Sequence, residues 1–257
     1  MLADGLGAAI RAEFVKMRSL RSAAITLALV AVISLGISAL GGWSYRHAIA
    51  THSPSLAPGF TASGAGFDGI LYGQLAAIVF AVLLVTCEYG SGMIKLSLLA
   101  MPRRGGFYTA KMTVIALTMA AAAIPATLLG YALMQAELGP YGASLTAPGV
   151  PRAMVGAVAY LALISLLAAG LAVMTRNAIV PLATLLPVIL IGSQLLSDFH
   201  ATAVIARFLP DRAGMQMIGH PVATAGGLSP AAGLAVLLAW VAASLAGGYL
   251  LLRRRDA

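Results

Sequence analysis

Long apolar runs alternate with short polar segments along this chain, and the runs have the length that crosses a lipid bilayer. A membrane-spanning helix needs about 20 mostly apolar residues. The charged positions leave six stretches of that order, which predict spans at about residues 22–42, 69–87, 112–135, 153–175, 177–197 and 230–252. These spans and their short connections account for residues 1–257 as one transmembrane domain. The predicted fold class is therefore an all-α membrane protein.

Composition and charge add a topology to this pattern. The chain is 60% hydrophobic and 9% charged, whereas soluble domains are about 45–50% apolar and about 25% charged. If the N-terminus is inside, twelve of the sixteen basic residues fall on the cytoplasmic side of the six spans. The positive-inside rule thus predicts that both termini are cytoplasmic. Topology and attraction to anionic membrane lipid explain the net charge of +8, and we expect no nucleic-acid partner.

The first residues predict a helix on the membrane surface rather than across it. Residues 5–20 carry apolar side chains at helical spacing, with charged side chains between them. The apolar positions are Leu6, Ile10, Phe14 and Met17, and the charged positions that turn elsewhere are Arg11, Glu13, Lys16 and Arg18. Such a helix lies along the cytoplasmic interface. It is either a topogenic anchor or a functional elbow.

Two polar regions on the predicted outer side remain. Residues 41–68 are rich in Gly, Ser, Thr and Pro and predict an irregular or weakly helical loop. Its His47 and His52 have no third ligand nearby, so we expect no metal site. Residues 198–230 predict two short helices that dip into the outer membrane edge, broken at Pro210 and Pro221.

The segment between the second and third spans carries the most information. Five charges fall in residues 88–111, between two uncharged apolar runs. Residues 93–101 predict a short amphipathic helix with Ile94, Leu98 and Met101 on one face. Gly90 and Gly92 loosen its start and Pro102 ends it. The segment is either an interfacial hairpin held by snorkelling lysine and arginine or a lever that docks on a cytosolic motor.

Several kinds of chemistry are excluded or disfavoured by what the sequence lacks. A phosphate-binding loop needs glycine before its lysine, but Lys16, Lys95 and Lys111 follow Val15, Ile94 and Ala110. No charged residue interrupts a predicted span, which argues against proton-coupled transport. All four histidines fall in predicted outer loops, so intramembrane catalysis is not expected.

Uncharged polar residues inside the spans admit two interpretations. Gln74, Ser193 and Gln194 are the candidates for lining a transport pathway. The alternative is that they hold helices together by hydrogen bonds of about 1 kcal/mol. Polarity alone favours the second interpretation, since amide and hydroxyl groups in hydrocarbon need partners.

The segment 88–111 resembles the first cytoplasmic loop of ABC-2 type permeases, the membrane subunits of bacterial ABC exporters. The resemblance rests on Glu-Tyr-x-x-Gly-x-Ile-x-x-x-Leu-x-x-x-Pro-Arg-Arg, followed shortly by Ala110-Lys111. Residues 12–19, Ala-Glu-Phe-x-Lys-x-Arg-Ser, resemble the elbow helix of that family. Phe208-Leu209-Pro210 and Ala213-Gly214 resemble the outer segment before its last helix.

This resemblance implies a fold and a set of partners. The fold would have six transmembrane helices, an N-terminal interfacial elbow helix, a cytoplasmic coupling helix between spans two and three, and short outer re-entrant helices before span six. Two permease subunits would pair, with a homodimer expected, and each would dock one ATP-binding subunit in the bacterial cytoplasmic membrane. ATP and Mg would bind in the partner subunit, so this chain would need no cofactor and would not itself be an enzyme.

The resemblance also implies roles for particular residues. The elbow helix would use Phe14, Lys16 and Arg18. Contact with the ATP-binding subunit would involve Glu88, Gly92, Ile94, Lys95, Leu98, Met101, Pro102, Arg103, Arg104 and Lys111. Two other classes stay open, an ion-coupled secondary transporter and a non-transporting membrane protein that binds a toxin as an immunity factor. No motif identifies the cargo.

Overall fold

The fold is helical throughout the part of the chain that the computed structural model describes. It describes residues 2–53, 56, 60–100, 103–199, 201–219 and 227–254, without the side chains of residues 2–5, 98 and 100. The structure is 86% helix, with no strand in these ranges. Six of the described helical segments are long and apolar enough to cross a membrane. The predicted all-α membrane class is confirmed.

The helices in the first half of the chain include both short and membrane-length elements. They are α1 (Leu2–Ser19), α2 (Arg21–Ala50), α3 (Ala62–Ala65), α4 (Asp68–Gly90), α5 (Met93–Ala100) and α6 (Arg104–Leu138). The second half begins with a 3₁₀ turn at Gly139–Tyr141 and continues with α7 (Val150–Thr175), α8 (Ile179–Pro187), a π turn at Val188–Gly192, α9 (Ser193–Asp198), α10 (Ala203–Ala206), α11 (Pro210–Ile218) and α12 (Pro230–Arg254).

The six membrane-length segments divide into central and peripheral helices. The most apolar parts of the segments that contain α4 and α7 are 67% and 61% buried by protein. Those of α12 and of the segment from α8 to α9 are only 22% buried. A helix that is apolar on every side suits either a core or a lipid environment. The central pair is covered by protein, while the peripheral helices present apolar surface such as Leu190 and Leu250.

Small residues allow α2 and α4 to approach closely. A Cβ atom on Gly69 would lie 2.7 Å from Ser38 Oγ and closer still to the backbone oxygen of Ser34. Ser34 and Ser38 are buried, and they follow the four-residue spacing that permits tight helix contacts in membranes. Gly69 is therefore a position where no larger residue fits without separating the two helices.

Several helices are longer than the apolar runs that predict them. Helix α2 continues to Ala50, so the expectation of an irregular loop from residue 41 is wrong for its first turns. Helix α6 begins at Arg104, well before the apolar run from residue 112. Hydropathy marks only the part of a helix at hydrocarbon depth, whereas backbone hydrogen bonding continues into polar surroundings. Tyr45 donates a hydrogen bond to the Asp68 carboxylate across 2.7 Å and links the two ends of this connection.

Proline acts differently at its several positions. Pro125 lies inside α6, which continues through it. Pro187 ends α8, and the π turn follows directly, as expected where the helical hydrogen-bond pattern is interrupted. Pro210 stands in the first turn of α11, where its missing donor costs nothing. Two short helices, α10 and α11, do follow the fifth span, but the predicted break at Pro221 lies outside the described residues.

An even number of crossings brings both ends of the chain to one side of the bundle. Arg104 Nη1 donates to the backbone oxygens of Leu252 and Arg253, at 2.8 and 3.2 Å. The start of α6 therefore lies beside the last turn of α12, with α1 and α5 nearby. We call this side the terminal end, and the opposite side, with α10 and α11, the far end.

Candidate functional site

The chain reverses sharply between α4 and α5 at the terminal end. Ser91 N donates to the Cys87 oxygen, 3.1 Å away, as α4 ends. Gly92 then adopts φ +70°, in the left-handed region, which glycine enters without the steric penalty of a side chain. Lys95 N bonds back to the Gly92 oxygen at 3.2 Å. This turn separates α5 from α4 and directs it along the end of the bundle.

Helix α5 presents a stripe of apolar side chains away from the bundle. Ile94 is only 5% exposed, but Met93, Leu96 and Leu99 are 43%, 67% and 78% exposed. These three stand at i, i+3 and i+6, which places them along one side of a helix. We call them the α5 stripe. The predicted apolar face differs from it, because Ile94 points inward while the Leu98 side chain and Met101 lie outside the described part.

A small cavity at the terminal end lies behind Ile94. Its lining includes Glu88, Tyr89, Ile94, Tyr108, Val173 and Leu252. Ile94 is the residue of α5 in this lining, and the other lining residues come from α4, α6, α7 and α12. The position of α5 therefore depends on how those helices are arranged.

Four charged side chains meet beside this cavity and form what we call the terminal ion cluster. Its members are Glu13 and Lys16 of α1, Glu88 of α4 and Lys111 of α6. Lys111 Nζ lies 2.7 Å from Glu13 Oε2 and 2.9 Å from Glu88 Oε1. Lys16 Nζ lies 2.7 Å from Glu88 Oε1 and also pairs with Glu13. Acids and bases thus alternate around a closed ring.

The terminal ion cluster is largely shielded from water. The side chains of Glu13, Glu88 and Lys111 are about as buried as the core, and only that of Lys16 is appreciably exposed, at 27%. Burial disfavours the charge of Lys16, but hydrogen bonds to Glu13 and Glu88 outweigh it and raise the pKa of this ammonium. The Phe107 ring lies 5.3 Å from Lys111 Nζ and 5.5 Å from Lys16 Nζ, within cation–π range.

Helix α1 turns a mixed face, which includes the charged Glu13, toward the protein. Ala9, Glu13 and Met17 are buried, whereas Phe14 is 44% and Val15 is 66% exposed. The sequence turned Glu13 away from the apolar positions of this helix, and the structure places it toward the protein, while Arg11 and Arg18 are exposed. At a membrane surface the apolar side faces lipid, which leaves the other side for the protein. Arg18 lies over the exposed Phe14 ring, 5.8 Å from its centroid.

The remaining candidates in residues 88–111 occupy different surroundings. Arg104 bonds the last carbonyl groups of α12, which favour a cation because they end the helix dipole. Lys95 and Arg103 are exposed, and Pro102 lies outside the described residues. Glu88 is buried among its ion pairs, so its carboxylate is turned to α1 and α6. The roles that the sequence assigns to these residues stay predictions.

The predicted pathway residues make hydrogen bonds within their own spans and, for Gln74, to a neighbouring helix. Gln74 is fully buried; its Nε2 donates to the Leu71 oxygen across 2.6 Å, and its Oε1 accepts from the Tyr160 hydroxyl of α7. Ser193 is 2% exposed and donates weakly to the Ile189 oxygen, 3.4 Å away. These contacts agree with a packing role, and the pathway role stays a prediction.

A second polar group, at the far end, joins α9 to α11, and we call it the far-end cluster. Arg212 Nη2 donates to Gln194 Oε1 at 2.6 Å and to Ser197 Oγ at 3.1 Å. The neighbouring Asp211 is 4% exposed. Burial raises the pKa of the Asp211 carboxyl against the opposing hydrogen bond from Ser193, and burial lowers the pKa of Arg212.

Sequence reasoning missed Glu13 and Asp211 as buried charges and Leu96 and Leu99 as exposed apolar residues. A signal existed for Asp211, since it lies between Pro210 and Ala213, inside the short region that resembles the outer segment of the permeases. No comparable signal marked Leu96 and Leu99, because α5 carries apolar residues on all sides.

A bundle of six membrane-length helices, with its charges gathered at its ends, defines the class of multi-pass membrane proteins. A family model described as ABC-2 family transporter protein matches residues 9–193, well over half of the chain. The chain belongs to this family. No curated protein matches its sequence.

Family membership gives the chain a permease role in transport and makes it a non-catalytic membrane component. It also implies partnership with an ATP-binding subunit. The matched residues include α5, the α5 stripe and all four members of the terminal ion cluster, while α10, α11 and α12 follow the match.

Proposed function

We propose that this chain is the permease subunit of an ATP-driven ABC-2 exporter in the bacterial cytoplasmic membrane. Two copies pair and form the substrate pathway, and each copy docks one ATP-binding subunit that holds ATP and Mg. Both termini are cytoplasmic, so the terminal end faces the cytosol. The basic residues of the predicted topology support this orientation.

The observation that carries the proposal is the α5 stripe. Met93, Leu96 and Leu99 are exposed on a short helix at the terminal end of the bundle. The adjacent Lys95 and Arg103 are exposed and charged, which suits a surface that meets a soluble partner better than one that enters lipid. Apolar anchors rimmed by charge are typical of the centre of a protein interface.

The helix also has the mechanical support that coupling requires. Its inner residue Ile94 belongs to the buried core and shares the lining of the small cavity with side chains of α4, α6, α7 and α12. The glycine turn at residue 92 separates its axis from α4. A push on the α5 stripe therefore reaches the central helices through packed side chains.

Assembly with the ATP-binding subunit tests this function. We expect Leu96→Asp or Leu99→Asp to weaken co-purification with an ATP-binding subunit that is encoded beside this chain and co-expressed with it. The loss is about 2 kcal/mol or more per anchor, which is more than tenfold in Kd. Leu145→Asp is the matched control, because Leu145 is 48% exposed in a loop at the far end.

Three results would overturn the proposal. Full assembly of both α5 variants with the ATP-binding subunit would show that the α5 stripe is not part of the interface. Ion-gradient-driven transport by the purified chain in liposomes without ATP would favour a secondary transporter instead, and toxin binding without flux would favour an immunity protein.

A further inference from the structure

Helix α1 is tied to the hairpin that carries α5 by more than packing. Lys16 Nζ reaches Glu88 of α4 and also donates to Ser97 Oγ of α5, across 3.3 Å. One turn earlier, Glu13 accepts from Lys111 of α6. Two side chains of α1 thus contact all three helices of the hairpin.

Attachment to the membrane does not require these contacts. The exposed apolar residues of α1, Leu6, Phe14 and Val15, already suit the lipid interface. Moving a carboxylate into the protein interior is costly unless it is paired. A surface anchor would leave Glu13 in water, yet it is 5% exposed.

The terminal ion cluster is better suited to setting a position than to adding stability. Buried ion pairs contribute little net stability compared with well-packed apolar residues, because desolvation offsets their attraction. They do restrict which arrangements are allowed, since any other register leaves a charge unpaired. Glu88 Oε2 is buried with no hydrogen-bond partner among the described residues. If the ion pairs of Glu88 Oε1 were also lost, the whole carboxylate would be buried without a partner.

We propose that Glu13 and Lys16 are positioning residues that lock α1 to the α4–α5–α6 hairpin, so that α1 and α5 move as one unit. This inference rests on the proposed function, because the motion is the one that an ATP-binding subunit imposes on α5. Of the two roles that the sequence leaves open for α1, this inference favours the functional elbow over the topogenic anchor.

The first test measures the distance between α1 and α5 in the full chain, without any ATP-binding subunit. Spin labels are attached at Ala8→Cys and Lys95→Cys, two exposed positions, in a Cys87→Ser background reconstituted in nanodiscs. We expect a single narrow distance distribution. Glu13→Met should broaden it, and Arg11→Gln, which removes an exposed charge of the same helix, should not.

A charge-balanced variant separates positioning from stability. Glu13→Met with Lys111→Met leaves the pair of Lys16 and Glu88, so the thermal stability in detergent should return toward that of the parent. The distance distribution should stay broad, because the tie between α1 and α6 is absent. A narrow distribution in either Glu13 variant would overturn the inference, even if the proposed function holds.

The second test uses the assembled complex. With ATP and vanadate, the distance from α1 to α5 should not change in the parent, while the distance from α1 to a label at Leu145→Cys of the far end should shift. A change between α1 and α5 of equal size in the parent and in the Glu13→Met variant would show that the two helices move independently. Failure of the unlabelled parent to assemble would instead count against the proposed function.

Discussion

The two ends of the bundle bury charge in different ways. At the terminal end, two acids and two bases alternate in a ring, and two of the ring's contacts, Lys16–Glu88 and Glu13–Lys111, join residues 72 and 98 positions apart in the sequence. At the far end, Arg212 bonds neutral groups only 15 and 18 positions away, and Oδ1 of its neighbour Asp211 has no hydrogen-bond partner within the described ranges.

This difference separates a tertiary tie from a local one. The terminal ion cluster can form only when α1, α4 and α6 are packed together. Its ion pairs therefore stabilise one particular arrangement of these three helices. The far-end cluster forms once α11 folds back on α9. We therefore expect that removing one charge at the terminal end lowers the stability of the whole bundle. Removing one at the far end should loosen only the contacts of that residue.

The largest expected effect comes from removing the base with two buried partners. Lys111→Met leaves Glu13 and Glu88 with Lys16 as their shared counter-charge, and breaking a buried pair in this way costs about 3–5 kcal/mol. The midpoint of thermal unfolding in detergent should fall clearly. Lys95→Met, at an exposed position, is the control and should stay within about 0.5 kcal/mol. Equal stability of the two variants would contradict the tertiary tie.

A smaller effect is expected at the far end. Arg212→Met removes the donor to Gln194 and Ser197 and leaves Asp211 buried, at a cost of about 1–3 kcal/mol. Limited proteolysis should cut near α11 sooner than in the parent. Arg152→Met, an exposed arginine at the start of α7, should leave the cleavage pattern unchanged. If Arg212→Met destabilises the chain as strongly as Lys111→Met, the distinction between the two ends fails.

The sequence predicted the spans well because span length is a local property of hydropathy. It did not predict the terminal ion cluster, because Glu13 and Lys111 meet only through the tertiary fold. Helical spacing turned Glu13 away from Leu6 and Phe14, but it could not show that Glu13 would meet buried partners. In the structure Glu13 is 5% exposed, whereas Leu6 and Phe14 are exposed.

The short helix α5 shows a second feature that the sequence could not predict, namely which side of the helix is exposed. Its existence follows from the glycines before it and the run of good helix formers. Its orientation does not, because Met93, Ile94, Leu96 and Leu99 surround the helix with apolar surface. Only the burial of Ile94 in the core of the bundle determines which of these residues is exposed.

The pH dependence of stability should differ between the ends. The folded-state pKa of Asp211 is raised above the ordinary value of 3.8. The contribution of this carboxyl to the free energy of unfolding is therefore full below pH 3.8 and is lost as the pH rises through the folded-state pKa. The folded-state pKa of Lys16 is raised above 10.5. The contribution of this ammonium to the free energy of unfolding is therefore full below pH 10.5 and is lost only as the pH rises through the higher folded-state pKa. Profiles of unfolding temperature against pH should lose the acid-side slope in Asp211→Asn and the alkaline slope in Lys16→Met. A single shared slope would contradict the assignment.

The smallest effect is expected between the two ends, where a neutral pair joins the central helices. Tyr160→Phe removes the hydroxyl that Gln74 accepts from, and interhelical hydrogen bonds of this kind average about 0.6 kcal/mol in membranes. Gln74→Leu with Tyr160→Phe removes both polar groups and should be at least as stable as Tyr160→Phe alone, because no amide oxygen is then left without its donor. Unfolding in mixed detergent micelles would measure both. A loss from Tyr160→Phe as large as that from Lys111→Met would mean that burial depth, rather than charge, determines how strongly a polar contact ties these helices together.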